Sequence, residues 1–340
     1  MAKFVFPELP ADVKLGRIET FSTFVVDPLP EAQWLIEGLF EKDALAIIWG
    51  ASGEGKTFVV LDMLVAIATG EKWLGKYPVK KGNVIYAIGE SPRGLMRRAA
   101  GAARYRGLKD VPGLHFYPQA PQLLTAQGLK HFLKQIEPLK PKVIVIDTVA
   151  RSMMGGDENS AQDMGLFVHA CDEIRKATGA CVLLVHHTAK ARKPGQPPSE
   201  RGSGALRGAM DTSIGVSMAD GIIQLTNFKQ KDDGLFKPIF VGTKVYELRP
   251  AEGDKPAMTT LVMVPVCEDL PTEMHDGAML ALAILRKHGK SITRLEWHEL
   301  LNADQEARGV PLSSRASMFR WAKKLKDEGL VVEDDGVFKA

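Results

Sequence analysis

The chain has 340 residues, 45% of them apolar and 25% charged, the make-up of an ordinary soluble globular protein with room for one large core and a small appended domain. A formal charge of +3 excludes a polyanion held by the overall field alone, so any nucleic-acid contact must come from local clusters. There is no leader-like start and no run of ~18 to 20 apolar residues, and Cys171, Cys181 and Cys267 have no metal-ligand spacing; the expectation is a cytoplasmic protein with reduced thiols, no zinc ribbon and no membrane span.

Residues 1–30 are proline-spaced without a sustained period, which predicts an arm that docks on a neighbour or on the domain itself. From 31 to 268 the pattern is mainly strand then helix, an α/β domain with a parallel sheet covered on both faces. Its first strand, Leu45–Trp49, runs into Gly50-Ala51-Ser52-Gly53-Glu54-Gly55-Lys56-Thr57 and then a helix over Lys56–Ala68. Strand, loop and helix are the context a phosphate-binding loop requires. Its glycines let backbone N–H groups face phosphate oxygens, Lys56 neutralises the β and γ phosphates, and the Thr57 hydroxyl ligates Mg²⁺, so the expected cofactors are ATP and Mg²⁺.

The next strand, Asn83–Ile88, is followed by Glu90-Ser91-Pro92 and a helix over Arg93–Tyr105. Ligands of open α/β sheets bind at strand carboxyl ends, so Glu90 is a candidate general base for an attacking water, the alternative being a cap of that helix. A helix over Ala126–Glu137 precedes the strand Lys142–Asp147. An unpaired carboxylate is costly to bury, which makes Asp147 a candidate Mg²⁺ residue beside Thr57; the alternative is again a cap. After a helix over Ala161–Ala177, the strand Ala180–His186 closes on His186-His187. One of these could sense the γ-phosphate; the alternative is a satisfied core histidine, and the pair is a poor metal site. The following stretch carries Lys190, Arg192, Lys193, Arg201 and Arg207 against Glu200, with three prolines and few aromatics. Such cations can track a phosphate backbone without base stacking, or can simply be solvated.

Strands over Thr212–Met218, Gly221–Phe228 and Leu235–Val241, joined by Asp-Gly turns, predict an antiparallel extension. A boundary falls near Cys267–Asp276. Residues 273–340 then read as helices over Gly277–Lys287, Arg294–Leu301 and Ser313–Glu328 and a hairpin over Leu330–Lys339, a small α+β winged-helix layout. Ser313 is the expected N-cap of the third helix, and Phe319, Ala322 and Leu325 its apolar stripe. That helix carries Arg315, Arg320, Lys323 and Lys324, a face for duplex DNA or for a protein.

Taken together, the phosphate loop, Glu90-Ser91-Pro92, Ile146-Asp147-Thr148-Val149-Ala150-Arg151, the Gly155 to Ser160 turn, His186 to Lys190 and Arg201 to Asp211 resemble the RepA-type branch of the RecA-like ATPases, plasmid and phage replicative helicases, over about residues 34–250. The resemblance implies a RecA core, a homo-oligomeric ring, expected to be a hexamer, with ATP hydrolysed between subunits, and single-stranded DNA in its channel. It assigns Arg151–Asp163 and Thr188–Arg207 as channel loops. It also places Lys229-Gln230-Lys231 where related rings present a basic pair to the neighbour's γ-phosphate. Lys231 stands where an arginine is usual, a point charge rather than a fork, so either activation across the boundary is weaker or Arg207 serves instead, the alternative being a hairpin end of solvated lysines. The expected function is a ring-forming, DNA-dependent ATPase of the helicase type. The alternatives are an ATP-switched DNA-binding loader, mediator or regulator without unwinding, and a small-molecule kinase, against which stands the absence of an arginine-rich lid.

Overall fold

The computed structural model describes residues 18–25, 31–89, 91–188, 204–219, 221–252, 255–266, 276–308, 312–327 and 329–340. Residues 1–33 and 34–340 form two units. In the first, the described residues include one four-residue helix, α1 (Phe21–Phe24), with both phenylalanines exposed.

The second unit begins with a small hairpin, β1 (Trp34–Ile36) and β2 (Phe40–Glu41). It continues β3 (Leu45–Gly50), α2 (Lys56–Thr69), β4 (Val84–Ile88), α3 (Pro92–Arg104), β5 (Leu114–Tyr117), α4 (Ala126–Ile136), β6 (Val143–Asp147), α5 (Val149–Ser152), α6 (Ala161–Thr178), β7 (Cys181–His187) and α7 (Gly204–Ala209). Four strands follow: β8 (Thr212–Ala219), β9 (Ile222–Gln230), β10 (Ile239–Arg249) and β11 (Met258–Pro265). The nine strands β3 to β11 form one sheet in the order β11-β10-β9-β8-β3-β7-β6-β4-β5. From β5 across to β8 neighbours are parallel, and β9, β10 and β11 extend the sheet antiparallel. This is the α/β architecture expected from the strand-helix alternation, and it is consistent with the RecA-like core that the resemblance implies.

Alternation along each strand divides the core in two. Ala46, Ile48, Val84, Tyr86, Val145 and Val185 pack on the side of α2 and Leu95 of α3. Ile47, Ile85, Ile144, Ile146 and Leu184 pack against α4 and α6 through Phe132, Phe167 and Ile174. Helix α2 is apolar nearly all round, because α3 and β11 lie against it as well as the sheet. Within this sheet two strands, β5 and β11, have no counterpart in the sequence pattern, nor do β1 and β2 outside it, and β10 starts later than Leu235. Pro238 has no N–H to give a ladder, so regular pairing begins only at Ile239.

After β11 come α8 (Asp276–His288), β12 (Ile292–Thr293), α9 (Arg294–Arg308), α10 (Arg315–Asp327), β13 (Val332–Asp334) and β14 (Val337–Lys339), with the three strands ordered β12-β14-β13. Trp297, Leu301, Met318, Leu325 and Phe338 share one core with Ile222 of β9, and Phe240 of β10 packs at its edge. A reciprocal cap starts α9: the Thr293 N–H donates to Glu296 Oε2 at 2.7 Å and the Glu296 N–H to Thr293 Oγ1 at 3.3 Å. The cap of α10 is Ser314, whose Oγ accepts from the Ser317 N–H at 3.1 Å, not Ser313. Ser313 is buried, its N–H donating to Asn302 and Gln305. The apolar stripe of α10 is Met318, Ala322 and Leu325. Phe319 lies outside it, 55% exposed, with the Arg294 guanidinium stacked on its ring.

Candidate active site

The loop between β3 and α2 is shaped by two glycines in the left-handed region, Gly53 at φ +90° and Gly55 at φ +82°, where a side chain is strained. Gly50 ends β3 beside His187 of β7, and its carbonyl accepts from the Thr188 N–H at 3.2 Å. Lys56, only 6% exposed, donates from Nζ to the Gly50 and Ala51 carbonyls at 2.9 and 2.7 Å. Ser52, Gly53, Gly55, Lys56, Thr57, Arg98, Asp147 and His187 line one open cleft. Glu54 turns away from it, and its carboxylate accepts from the backbone N–H of Met218 on β8. The loop also leans on β9: a Cβ at Gly55 would meet Ile223 Cδ1 at 2.5 Å.

Asp147 ends β6 and is 6% exposed. Tyr86 of β4 donates its hydroxyl to Asp147 Oδ2, and Thr57 lines the same small pocket as these two. Register explains the meeting. Val145 lies opposite Tyr86 and Asp147 opposite Ile88, so Tyr86 and Asp147 are diagonal neighbours on one face, within reach of an aromatic side chain. Burial, and then the Asp147 carboxylate, push the Tyr86 phenol well above its ordinary value, so it stays a proton donor. Parity also separates the two histidines. His187 shares the face of Val185 and Leu183 and opens on the cleft, whereas His186, 1% exposed, faces the other side with Leu184.

Two residues here were missed from the sequence. Tyr86 is the one polar-tipped side chain in Val-Ile-Tyr-Ala-Ile, a signal that becomes legible only when its strand is set beside β6. Arg98 of α3 reaches the cleft with its guanidinium 5.1 Å from the centre of the Phe58 ring; nothing in a run of helical arginines singles it out.

Glu90, Lys190, Arg192, Lys193 and Arg201 lie outside the described residues. Arg207 is exposed on α7, and Lys229 Nζ donates to the Arg207 and Gly208 carbonyls at 3.1 and 2.9 Å. Lys231 pairs with Asp211 at 3.4 Å. Lys229 is opposite Ser213, itself opposite Ile47, which sets it ~10 Å below the level of Gly50 and two strands across. These lysines therefore do not reach the cleft of their own chain. Arg315, Arg320 and Lys323 are exposed on α10 and Lys324 is half-buried, far along the sequence from the cleft residues.

A glycine loop feeding a helix, a buried lysine folded over that loop, and a buried aspartate one strand beyond the neighbour of β3 define a P-loop ATPase. A family model described as an AAA domain, AAA_25, matches residues 13–193, more than half of the chain, and the chain belongs to that family. The match takes in the phosphate loop, Asp147 and His187 and stops before β8. No curated protein matches the chain.

The residues fit a nucleotide with a divalent cation, because a carboxylate and a hydroxyl share one wall of the cleft with a buried ammonium group. Thr57 and Asp147 would hold the cation, which would supply charge neutralisation at the phosphate oxygens. Lys56 sits where it can exchange its two carbonyl acceptors for phosphate oxygens.

Proposed function

We propose that the chain is a ring-forming, DNA-dependent ATPase acting as a replicative helicase of a phage or plasmid. The observation that carries this reading is the course of β7. His187 on that strand faces the cleft that also holds Lys56, Thr57 and Asp147, and the sequence that follows holds Lys190, Arg192, Lys193 and Arg201. A side chain that responds to the γ-phosphate is thus joined directly to a basic segment suited to a single-stranded phosphate backbone.

In this reading Glu90 activates the attacking water, and Lys229, Lys231 or Arg207 acts across a subunit boundary of the proposed hexamer. Residues 276–340 form a winged helix, and Arg315, Arg320, Lys323 and Lys324 offer a cationic face to duplex DNA or to a protein. An ATP-switched loader or mediator is the second reading. It is favoured by the shared core of residues 276–340 with β9, since the phosphate loop leans on the same strand.

ATP turnover with and without single-stranded DNA, followed by strand displacement on a forked duplex, decides between them. The motor predicts DNA-stimulated turnover and unwinding, both lost in Lys56→Ala. Binding of DNA without displacement supports the switch, and unaltered turnover in Glu90→Gln overturns the assigned base.

A further inference from the structure

The hydroxyl of Tyr86 is the part of the site that packing does not explain. Its ring is fully buried against Phe116, 6.4 Å between ring centres, and a phenylalanine would fill the same space. The oxygen, however, has a partner in Asp147, one of the two residues assigned to the cation that accompanies the nucleotide, and the other, Thr57, lines the same pocket. A phenol has a single proton, and Tyr86 spends it on Asp147. Asp147 must stay ionised to hold a cation while almost wholly buried, which requires a donor.

We propose that Tyr86 is a positioning residue for the divalent cation: its hydroxyl donates to the Asp147 carboxylate and orients it, so that this ligand is set before the cation arrives. The inference rests on the nucleotide-binding reading of the cleft. It is independent of whether the protein unwinds DNA.

The test uses the full chain and a fluorescent ADP analogue titrated once with Mg²⁺ and once with EDTA. Tyr86→Phe removes the hydroxyl and keeps the ring. The gain in affinity that Mg²⁺ confers is expected to fall about 10- to 100-fold, the worth of one hydrogen bond to a charged group, while affinity in EDTA stays within about twofold. In an Asp147→Asn background, where the gain is already lost, Tyr86→Phe is expected to have no further effect. A general packing role would lower both affinities together; that outcome, or a Mg²⁺ gain equal to the wild type, overturns the proposal. Failure of the wild-type chain to bind nucleotide in either buffer would instead overturn the nucleotide-binding reading, and this inference with it.

Discussion

Substituting Gly55 by alanine probes the contact between the phosphate loop and the antiparallel extension. Two separable costs arise. At φ +82° any L side chain meets left-handed strain, about 1 to 2 kcal/mol, and the new Cβ would come within 2.5 Å of Ile223 Cδ1, an overpacking cost of about 1 to 3 kcal/mol. Ile223→Val deletes that methyl and leaves Ile223 Cγ1 at 3.3 Å, a distance at which small shifts suffice. By itself it costs about 0.5 to 1.5 kcal/mol. In the Ile223→Val background, Gly55→Ala should then cost only the left-handed strain. A double-mutant cycle should show about 1 kcal/mol or more of coupling. Thermal unfolding reads this as a drop of several degrees for Gly55→Ala, at about 2 to 4 °C per kcal/mol, with part regained in the double variant. Equal costs in the two backgrounds would mean that the loop does not bear on β9.

Arg106 pairs with Asp62 at 2.7 Å, where Asp62 is 1% exposed and also accepts from Trp73 at 2.9 Å; Arg106→Ala strands that carboxylate and should cost about 3 to 5 kcal/mol, with Asp62→Asn in addition recovering part of the loss in denaturant titrations. Burial pushes the Cys181 thiol up to about 12 and Cys171 further, so a thiol reagent at pH 7.5 should modify neither before unfolding, and prompt labelling of either would contradict their burial. Glu296, through the Thr293 N–H, and Glu333, through Lys326, have carboxyls held below the ordinary value. Depressed carboxylates stabilise the fold above the unfolded value near ~4.3 and lose that contribution as pH falls through the lower folded values. The melting temperature of the wild type should therefore fall more steeply from pH 6 to pH 3.5 than that of Glu296→Gln with Glu333→Gln; parallel slopes would refute the assignment.

The sequence by itself determined the parts of this protein that depend on local order. Gly50 to Thr57 must form the phosphate loop, since only that spacing of glycines lets the backbone turn into α2. The apolar runs ending at Ile88, Asp147 and His187 must be buried strands, and the Asp-Gly turns and Asp335-Gly336 mark hairpins from their backbone demands alone. Among the described residues, no helix is long and apolar enough to cross a membrane, as the lack of long apolar runs implied. Tertiary structure decided what depends on neighbours brought together from far along the chain. Which histidine faces the cleft follows from the parity of β7 beside β3, and Tyr86 meets Asp147 only because β4 lies against β6 in one register. Edge strands such as β5 and β11 take their conformation from the sheet they complete, so their own residues carry little of the signal. For the same reason Phe319, apolar in sequence, is left at the surface under Arg294: a helix buries the face its neighbours cover, and those neighbours are fixed by packing rather than by spacing.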